Sequence, residues 1–567
     1  MKKLLISSLL VCLFTISSFT PTGGRLPVYA NNGIVVSSSI IASAVGRDVL
    51  KAGGNAVDAA VATAFALAVT WPTAGNLGGG GFMVYVPRNG EATTFDFREK
   101  APLAATDKMF LDKNGKVVKD LNRIGVLAVG TPGTVAGLAM AHKKLGKLPW
   151  KSLVDPAVGL ATNGVPFSHS LYESANRRKD QWMKFPSTAK VMYKNGKDNY
   201  AYGETWKQPD LAKTLKRISE QGRDGFYKGE TAAKLAEFMK QQGGLITQKD
   251  LEQYDAVERK PVKGNYRDYT VYSMPPPSSG GVALIEMLNI LEGYDLNELG
   301  YKSADYISVV TEVMKRAFAD RAEFMGDPDF NNDLPLGKLT SKEYAASLRS
   351  GIKPYKSSPS DSSRFGQIYD GGSHTTHFSV MDKEGNAVSL TYTLESGFGS
   401  QVVADGLGFF LNNEMGDFNP MPGVTNTQGQ IGTRPNLIVP GKRMLSSMTP
   451  TILVKDGKPV MVVGAQGGRT IINTVLQIIL NVVDHKMSIA QAVEAPRLHH
   501  QWLPDIITVE PHWLSKDTRA ILIQRGFKIN EIQNSIGDAM GIMVNATTNE
   551  LMGAADSRSS DGGAVGY

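Results

Sequence analysis

Cysteine is almost missing from this chain: Cys12 is the only one in 567 residues, and it lies in the apolar N-terminal stretch. Once that stretch is removed, neither a thiol nucleophile nor a disulfide framework is left. Long apolar runs are scarce too. Leu4 to Ser18 is the most apolar segment and is too short to cross a bilayer, and no later run reaches about 18 residues. Blocks of one charge are also absent. The 61 Lys and Arg exceed the 54 Asp and Glu, for a net charge of +7, but they are scattered, which speaks against a nucleic-acid partner. No internal repeat or low-complexity linker stands out. With 42% hydrophobic and 20% charged residues, the composition is globular rather than disordered. Length alone allows roughly three or four domains, or one large α/β core that absorbs the same length. A chain this long buries about three quarters of its unfolded surface and needs no covalent staples.

What is present begins with Lys2 and Lys3, a positive start before the apolar segment. Val28-Tyr29-Ala30 resembles a small-x-Ala cleavage site, so residues 1–30 read as a signal peptide removed after Ala30. The protein is therefore expected to be secreted or periplasmic. Val57 to Val69 is apolar almost all round and predicts a buried helix. Gly78 to Gly81 then leads into a strand at Phe82 to Val86. A glycine run invites a phosphate-loop reading, but the Gly-Lys-Ser/Thr ending is missing, and a turn with close backbone packing is expected instead. Ala232 to Gln242 and Ala304 to Met325 predict helices. Pro275 to Gly281 breaks the pattern before another helix. Lys353 to Gly372, rich in Ser, Gly and Asp, reads as an exposed or flexible segment.

The stretch that follows is the most informative. Thr375 to Met381 alternates, with Thr376, Phe378 and Val380 on one face and Thr375, His377 and Ser379 on the other. Asp382 to Asn386 is a polar turn. Ala387 to Glu395 alternates again, with Val388, Leu390, Tyr392 and Leu394 opposed to Ser389, Thr391, Thr393 and Glu395. This is a hairpin pattern. Pairing Met381 with Ala387 sets Thr375 opposite Thr393, with facing Cβ atoms about 5 Å apart. Two readings stand. The threonines are ordinary strand formers on a solvated face. Alternatively, the bond before Thr375 is cut, and the new α-amine, with a pKa near 8, activates the same residue's Oγ as a nucleophile.

Thr375-Thr376-His377-Phe378-Ser379-Val380, followed by Gly385-Asn386-Ala387-Val388-Ser389, closely resembles the start of the small subunit of the γ-glutamyltranspeptidases, also called glutathione hydrolases. The resemblance extends over nearly the whole mature chain, through Gly54 to Ala60, Asp96 to Glu99, Gly130 to Gly133, Gly243 to Thr247, Leu445 to Met448 and Pro496 to Trp502. It implies an N-terminal-nucleophile hydrolase, an α/β (α+β) fold built as a four-layer αββα sandwich. It also implies a proenzyme that cleaves itself between His374 and Thr375, leaving a large chain 31–374 and a small chain 375–567 held together. Matching motifs make Thr375 the nucleophile and Thr393 its support. Gly467 and Gly468 become the oxyanion hole, where glycines let N–H groups approach developing charge. Arg98, Ser446 and Ser447 hold the donor α-carboxylate, and Glu395, Glu414 and Asp417 hold its α-ammonium. Donors are glutathione and other γ-glutamyl compounds; acceptors are amino acids, peptides or water. No cofactor is implied.

Some features depart from or stand outside that pattern. His499-His500 and His374/His377 invite a metal reading, but neither has a Cys or an acid at ligand spacing, and His500 reads as packed beside Trp502. Many members carry Asn where this chain has Glu395. The segment between Asp417 and Ser446 is long enough for the lid that some members have. Gln428 stands where those members place an aromatic gate. An altered gate would admit larger γ-glutamyl polymers. The competing readings are a poly-γ-glutamate depolymerase, a related β-lactam side-chain acylase, or an unprocessed exported binding protein.

Overall fold

A computed structural model describes residues 25–360, 375–419, 421 and 434–567. Cys12, the Leu4 to Ser18 segment, His374 and Gln428 lie outside the described residues.

Thr375–Met381 and Ala387–Thr393 pair antiparallel in the expected register, Thr375 opposite Thr393 and Met381 opposite Ala387. Asp382 closes the turn, its Oδ1 accepting from the N–H groups of Glu384 and Asn386 at 3.0 Å each. The hairpin is the middle of a seven-stranded antiparallel sheet in the order Gly563–Gly566, Ile34–Ser37, Thr375–Met381, Ala387–Thr393, Gly80–Val86, Thr93–Phe97, Val257–Arg259. A second seven-stranded sheet runs Val28–Ala30, Leu551–Ala555, Asp538–Val544, Lys458–Gln466, Thr451–Lys455, Tyr269–Ser273, Val262–Tyr266.

The apolar side of the hairpin, including Phe378, Val380, Val388 and Leu390, joins a core with the Ala56–Thr70 helix, which is buried at every residue. Its start is fixed by a capping box: Asn55 accepts from the N–H groups of Val57 and Asp58, and the Asp58 carboxylate accepts from the Asn55 N–H. The other side of the hairpin does not face water. Ser379 Oγ donates to the Met540 carbonyl at 3.2 Å and Ser389 Oγ to the Val463 carbonyl at 3.1 Å, across to the second sheet. The solvated-face reading of the threonines is therefore corrected: Thr375, Thr391 and Thr393 are buried, as are His377, Ser379 and Ser389 on the same face. The Gly280–Leu291, Ala304–Phe324 and Thr470–Val483 helices pack on the second sheet's core, completing the expected αββα sandwich.

Three local expectations resolve here. The glycine run is a close approach: a Cβ on Gly79 would lie 2.0 Å from the Thr393 carbonyl oxygen, and one on Gly81 2.4 Å from the Tyr392 Cβ. Positions 361–372 of the Ser/Gly-rich segment lie outside the described residues. Its described part is held in place, because Lys315 Nζ donates to Ser357 Oγ at 2.9 Å and the Ser360 N–H to Asp505 at 3.0 Å. Val28–Ala30 pairs with Leu551 to Gly553 at the edge of the second sheet, so a cut after Ala30 would strip that strand.

Candidate active site

The hairpin's open end, where Thr375 begins its strand, lines a cavity of about 1160 Å³ that also reaches Arg98, Glu395, Glu414, Asp417, Ser446, Ser447, Gly467 and Gly468. Two chemically different ends can be told apart.

At the hydroxyl end, Thr375 is 4% exposed, and its Oγ1 donates to Thr393 Oγ1 at 3.3 Å. Thr393 Oγ1 also accepts from the Glu395 N–H at 2.8 Å. The Thr393 carbonyl accepts from Asn76 Nδ2 at 2.9 Å, and Asn76 Oδ1 in turn accepts from the Gly79 N–H and from Thr134 Oγ1. Gly467 and Gly468 follow the Lys458–Gln466 strand with φ values of 133° and 59°, backbone that favours glycine. Their N–H groups have no partner among the described residues, and they precede the Thr470–Val483 helix, whose positive end favours an anion.

At the charged end, Arg98 follows the Thr93–Phe97 strand and is buried. Its Nη2 donates to Asp417 Oδ2 at 2.5 Å, and its Nη1 lies 2.6 Å from Glu414 Oε2, off the hydrogen-bond axis. Its Nε and Nη2 also donate to the Met444 and Leu445 carbonyls, each at 3.3 Å. Despite burial, the three neighbouring acids push its pKa further up. Too many carboxylates gather here for all to ionise. Burial pushes Glu414 well above the usual carboxylate range against the pull of Arg98. Burial pushes Glu99 to about 8 and, with the charge of Asp417, Glu395 to about 7. Glu395 sits in left-handed backbone at φ 77°, its Oε2 accepting from Ser396 Oγ and Asn413 Nδ2, both at 2.5 Å.

Ser446 and Ser447 close one wall. Ser446 Oγ accepts from the Met448 N–H at 3.1 Å, and Ser447 Oγ from Arg321 Nη2 at 2.8 Å. The histidines are held in other hydrogen bonds, although His499 borders the cavity. His377 lies between the sheets, bonded to Thr391 and Ser379 at 2.8 and 3.0 Å, and burial lowers its pKa to about 3. His499 bonds to Asn473, and burial lowers it to about 4. His500 is buried and accepts from the Trp502 N–H at 3.1 Å.

Every site residue expected from the sequence and described here lines this one cavity; His374 lies outside the described residues. Sequence reasoning missed Asn76, Asn413, Glu99 and Arg321. The first three adjoin residues that were recognised, by contact or in the Asp96–Glu99 motif. Arg321 had no signal beyond being a cation on an otherwise regular helix.

The two stacked antiparallel sheets, with a threonine opening a central strand into a cleft, define the N-terminal-nucleophile hydrolase class. The profile described as Gamma-glutamyltranspeptidase matches residues 42–566, and the chain belongs to that family of acyltransferases and hydrolases. It is 46% identical to a glutathione hydrolase proenzyme of Pseudomonas sp. (strain A14), over 100% of this chain and 99% of that protein. It is likewise 46% identical to a glutathione hydrolase proenzyme of Escherichia coli (strain K12), over 95% of this chain and 93% of that one. Among solved structures, a cephalosporin acylase from Bacillus halodurans superposes with a TM-score of 0.84 at 28% identity, covering 98% of this chain and 99% of that chain. The Helicobacter pylori gamma-glutamyltranspeptidase matches with a TM-score of 0.56 at 46% identity, covering 60% of this chain and 94% of that one. No described helix is long and apolar enough to cross a membrane.

Proposed function

We propose that the protein is an exported, self-cleaving γ-glutamyltransferase and glutathione hydrolase. Residues 1–30 act as the signal peptide, 31–374 as the large chain and 375–567 as the small one. In maturation, Thr375 Oγ attacks the His374 carbonyl. The peptide C–N bond breaks as the ester forms, and water then opens the ester to give a His374 carboxylate and a free Thr375 amine. In turnover, that amine takes the Oγ proton while Oγ attacks the γ-glutamyl carbonyl. Gly467 and Gly468 N–H groups receive the oxyanion, and the departing amine takes the proton. Water, an amino acid or a peptide amine resolves the acyl-enzyme on Thr375.

One observation carries the donor assignment: Arg98 and Asp417, paired at 2.5 Å, present a cation and an anion side by side in the cavity that holds Thr375. An α-amino-acid head group is a matching zwitterion, its carboxylate falling to Arg98 with Ser446 and Ser447, its ammonium to Asp417 with Glu395 and Glu414. A β-lactam side chain without that head group leaves the pair without a counterpart, which favours the γ-glutamyl reading over an acylase. Two bands on a denaturing gel, the smaller beginning Thr-Thr-His-Phe-Ser, and glutathione turnover stimulated by a dipeptide acceptor are the expected results. A single uncut chain with full activity would overturn the assignment of Thr375.

A further inference from the structure

Arg98 is not the only buried arginine on the cavity wall. Arg321, near the end of the Ala304–Phe324 helix, is 7% exposed and lines the same cavity. The two differ in how their charge is met. Arg98 has Glu414 and Asp417 against it. Arg321 forms no ion pair among the described residues. Its Nε donates to Ser279 Oγ and its Nη2 to Ser447 Oγ, both at 2.8 Å. Removing a cation from water without an opposing anion is costly, so the open cavity is where the missing anion belongs.

The two serines show what the guanidinium does. A hydroxyl has one proton to give. Ser279 Oγ accepts from Arg321 and passes its own proton to the Ser446 carbonyl at 2.7 Å; the Ser279 N–H donates to that carbonyl too, at 2.9 Å. This gives the Pro275 to Gly281 motif a purpose: it holds Ser446 in place. Ser447 Oγ likewise accepts from Arg321, but its proton has no taker among the described residues. Arg321 thus presents Ser447 to the cavity as a hydrogen-bond donor, and its Nη1 is left without a partner among the described residues.

We propose that Arg321 is the positioning residue for the donor's α-carboxylate, supplying the unmatched positive charge and turning Ser447 into an obligate donor to that carboxylate. This rests on the γ-glutamyl reading above and adds to it. Recognition of the carboxylate is divided between Arg98, which the site's own acids pair with directly, and Arg321, which none of the described acids pairs with.

The test compares γ-glutamyl 4-nitroanilide with 4-aminobutyryl 4-nitroanilide, which differs only in lacking the α-carboxylate. In Arg321→Met, kcat/KM on the glutamyl donor should fall by about 10- to 100-fold, chiefly through KM, as expected for a lost hydrogen bond to a charged group. The aminobutyryl compound should change little. Combining Arg321→Met with Ser447→Ala should cost less than the sum of the two, because both act on one contact. Equal losses on both substrates would mean a purely structural role and overturn the proposal. If Arg321→Met does not mature, Arg321→Lys carries the same comparison. It keeps the charge and loses the fork, so it must lose part of the carboxylate discrimination, and unchanged discrimination overturns the proposal. Wild-type protein that fails to turn over the glutamyl anilide would remove the γ-glutamyl reading itself, a result distinct from either.

Discussion

The two ends of the cavity are built on different principles. At the hydroxyl end, placement is the work of the main chain. Strand register sets Thr375 against Thr393, Asn76 holds the Thr393 carbonyl, and two glycines take backbone that other residues adopt at a cost. At the charged end, side chains from Arg98, Glu395 and the Glu414–Asp417 turn converge from distant parts of the chain, and burial, with the fields of the neighbouring acids, leaves Glu395 and Glu414 less acidic than usual. The contrast teaches which changes each end tolerates. The hydroxyl end depends on single atoms fixed by the main chain. The charged end is graded, since removing one member redistributes protons among the rest.

The largest expected effect therefore lies at the hydroxyl end. Thr375→Ala removes the one oxygen used in both maturation and turnover. It should leave an uncut chain whose anilide hydrolysis is down by roughly 10⁴-fold or more. Thr375→Ser keeps the oxygen but loses the methyl that restricts χ1, and should cut and turn over more slowly rather than not at all. A cut, active Thr375→Ala protein would erase the distinction between the two ends.

Next comes Arg98. Arg98→Ala should weaken transition-state binding of a γ-glutamyl donor by roughly 2–5 kcal/mol, part of which is the cost of leaving partners unpaired. Arg98→Lys should also be impaired, since one ammonium does not reproduce a fork that reaches Glu414 and Asp417 together. Both variants should still show two bands, because no donor takes part in self-cleavage. Normal kcat/KM in Arg98→Ala would take the residue out of the site.

The same division explains what could be read from the sequence. The hairpin and its register were legible because alternation and a polar turn are local signals, and Thr375 opposite Thr393 follows from them. Which way the polar face looks was not legible. Thr, Ser and His at alternate positions fit water or a second sheet equally well, and the Met540 and Val463 carbonyls that receive Ser379 and Ser389 come from far along the chain. The members of the charged end came from the family resemblance. Their mutual pairing did not, because Arg98 and Asp417 stand 319 positions apart. Arg321 was invisible because one more cation on a helix that also carries Lys315 and Arg316 reads as a solvated residue. Only burial beside Ser279 and Ser447 gives it meaning.

The smallest effect, and the most specific, concerns Glu395. Burial and the charge of Asp417 raise its carboxyl from an ordinary 4.5 to about 7. Below that pH the group is neutral; above it, it is an anion able to attract the donor's ammonium. The kcat/KM for a γ-glutamyl donor should therefore rise through a limb near pH 7, separate from the limb of the Thr375 amine expected near 8. Glu395→Gln keeps an acceptor for Asn413 and Ser396 but does not titrate, so the lower limb should vanish and the upper one remain. The loss at pH 8 should be only about threefold to tenfold, the size of one modest polar interaction. Stability should move the other way. A carboxyl whose pKa is raised on folding stabilises the fold below its ordinary pKa, and that contribution is lost as pH rises through about 7. The Tm of the wild type should thus fall more steeply than that of Glu395→Gln between about pH 5 and 8. Identical pH–rate and pH–Tm curves for the two proteins would show that Glu395 neither titrates in this range nor serves the ammonium, leaving that role to Asp417 and Glu414.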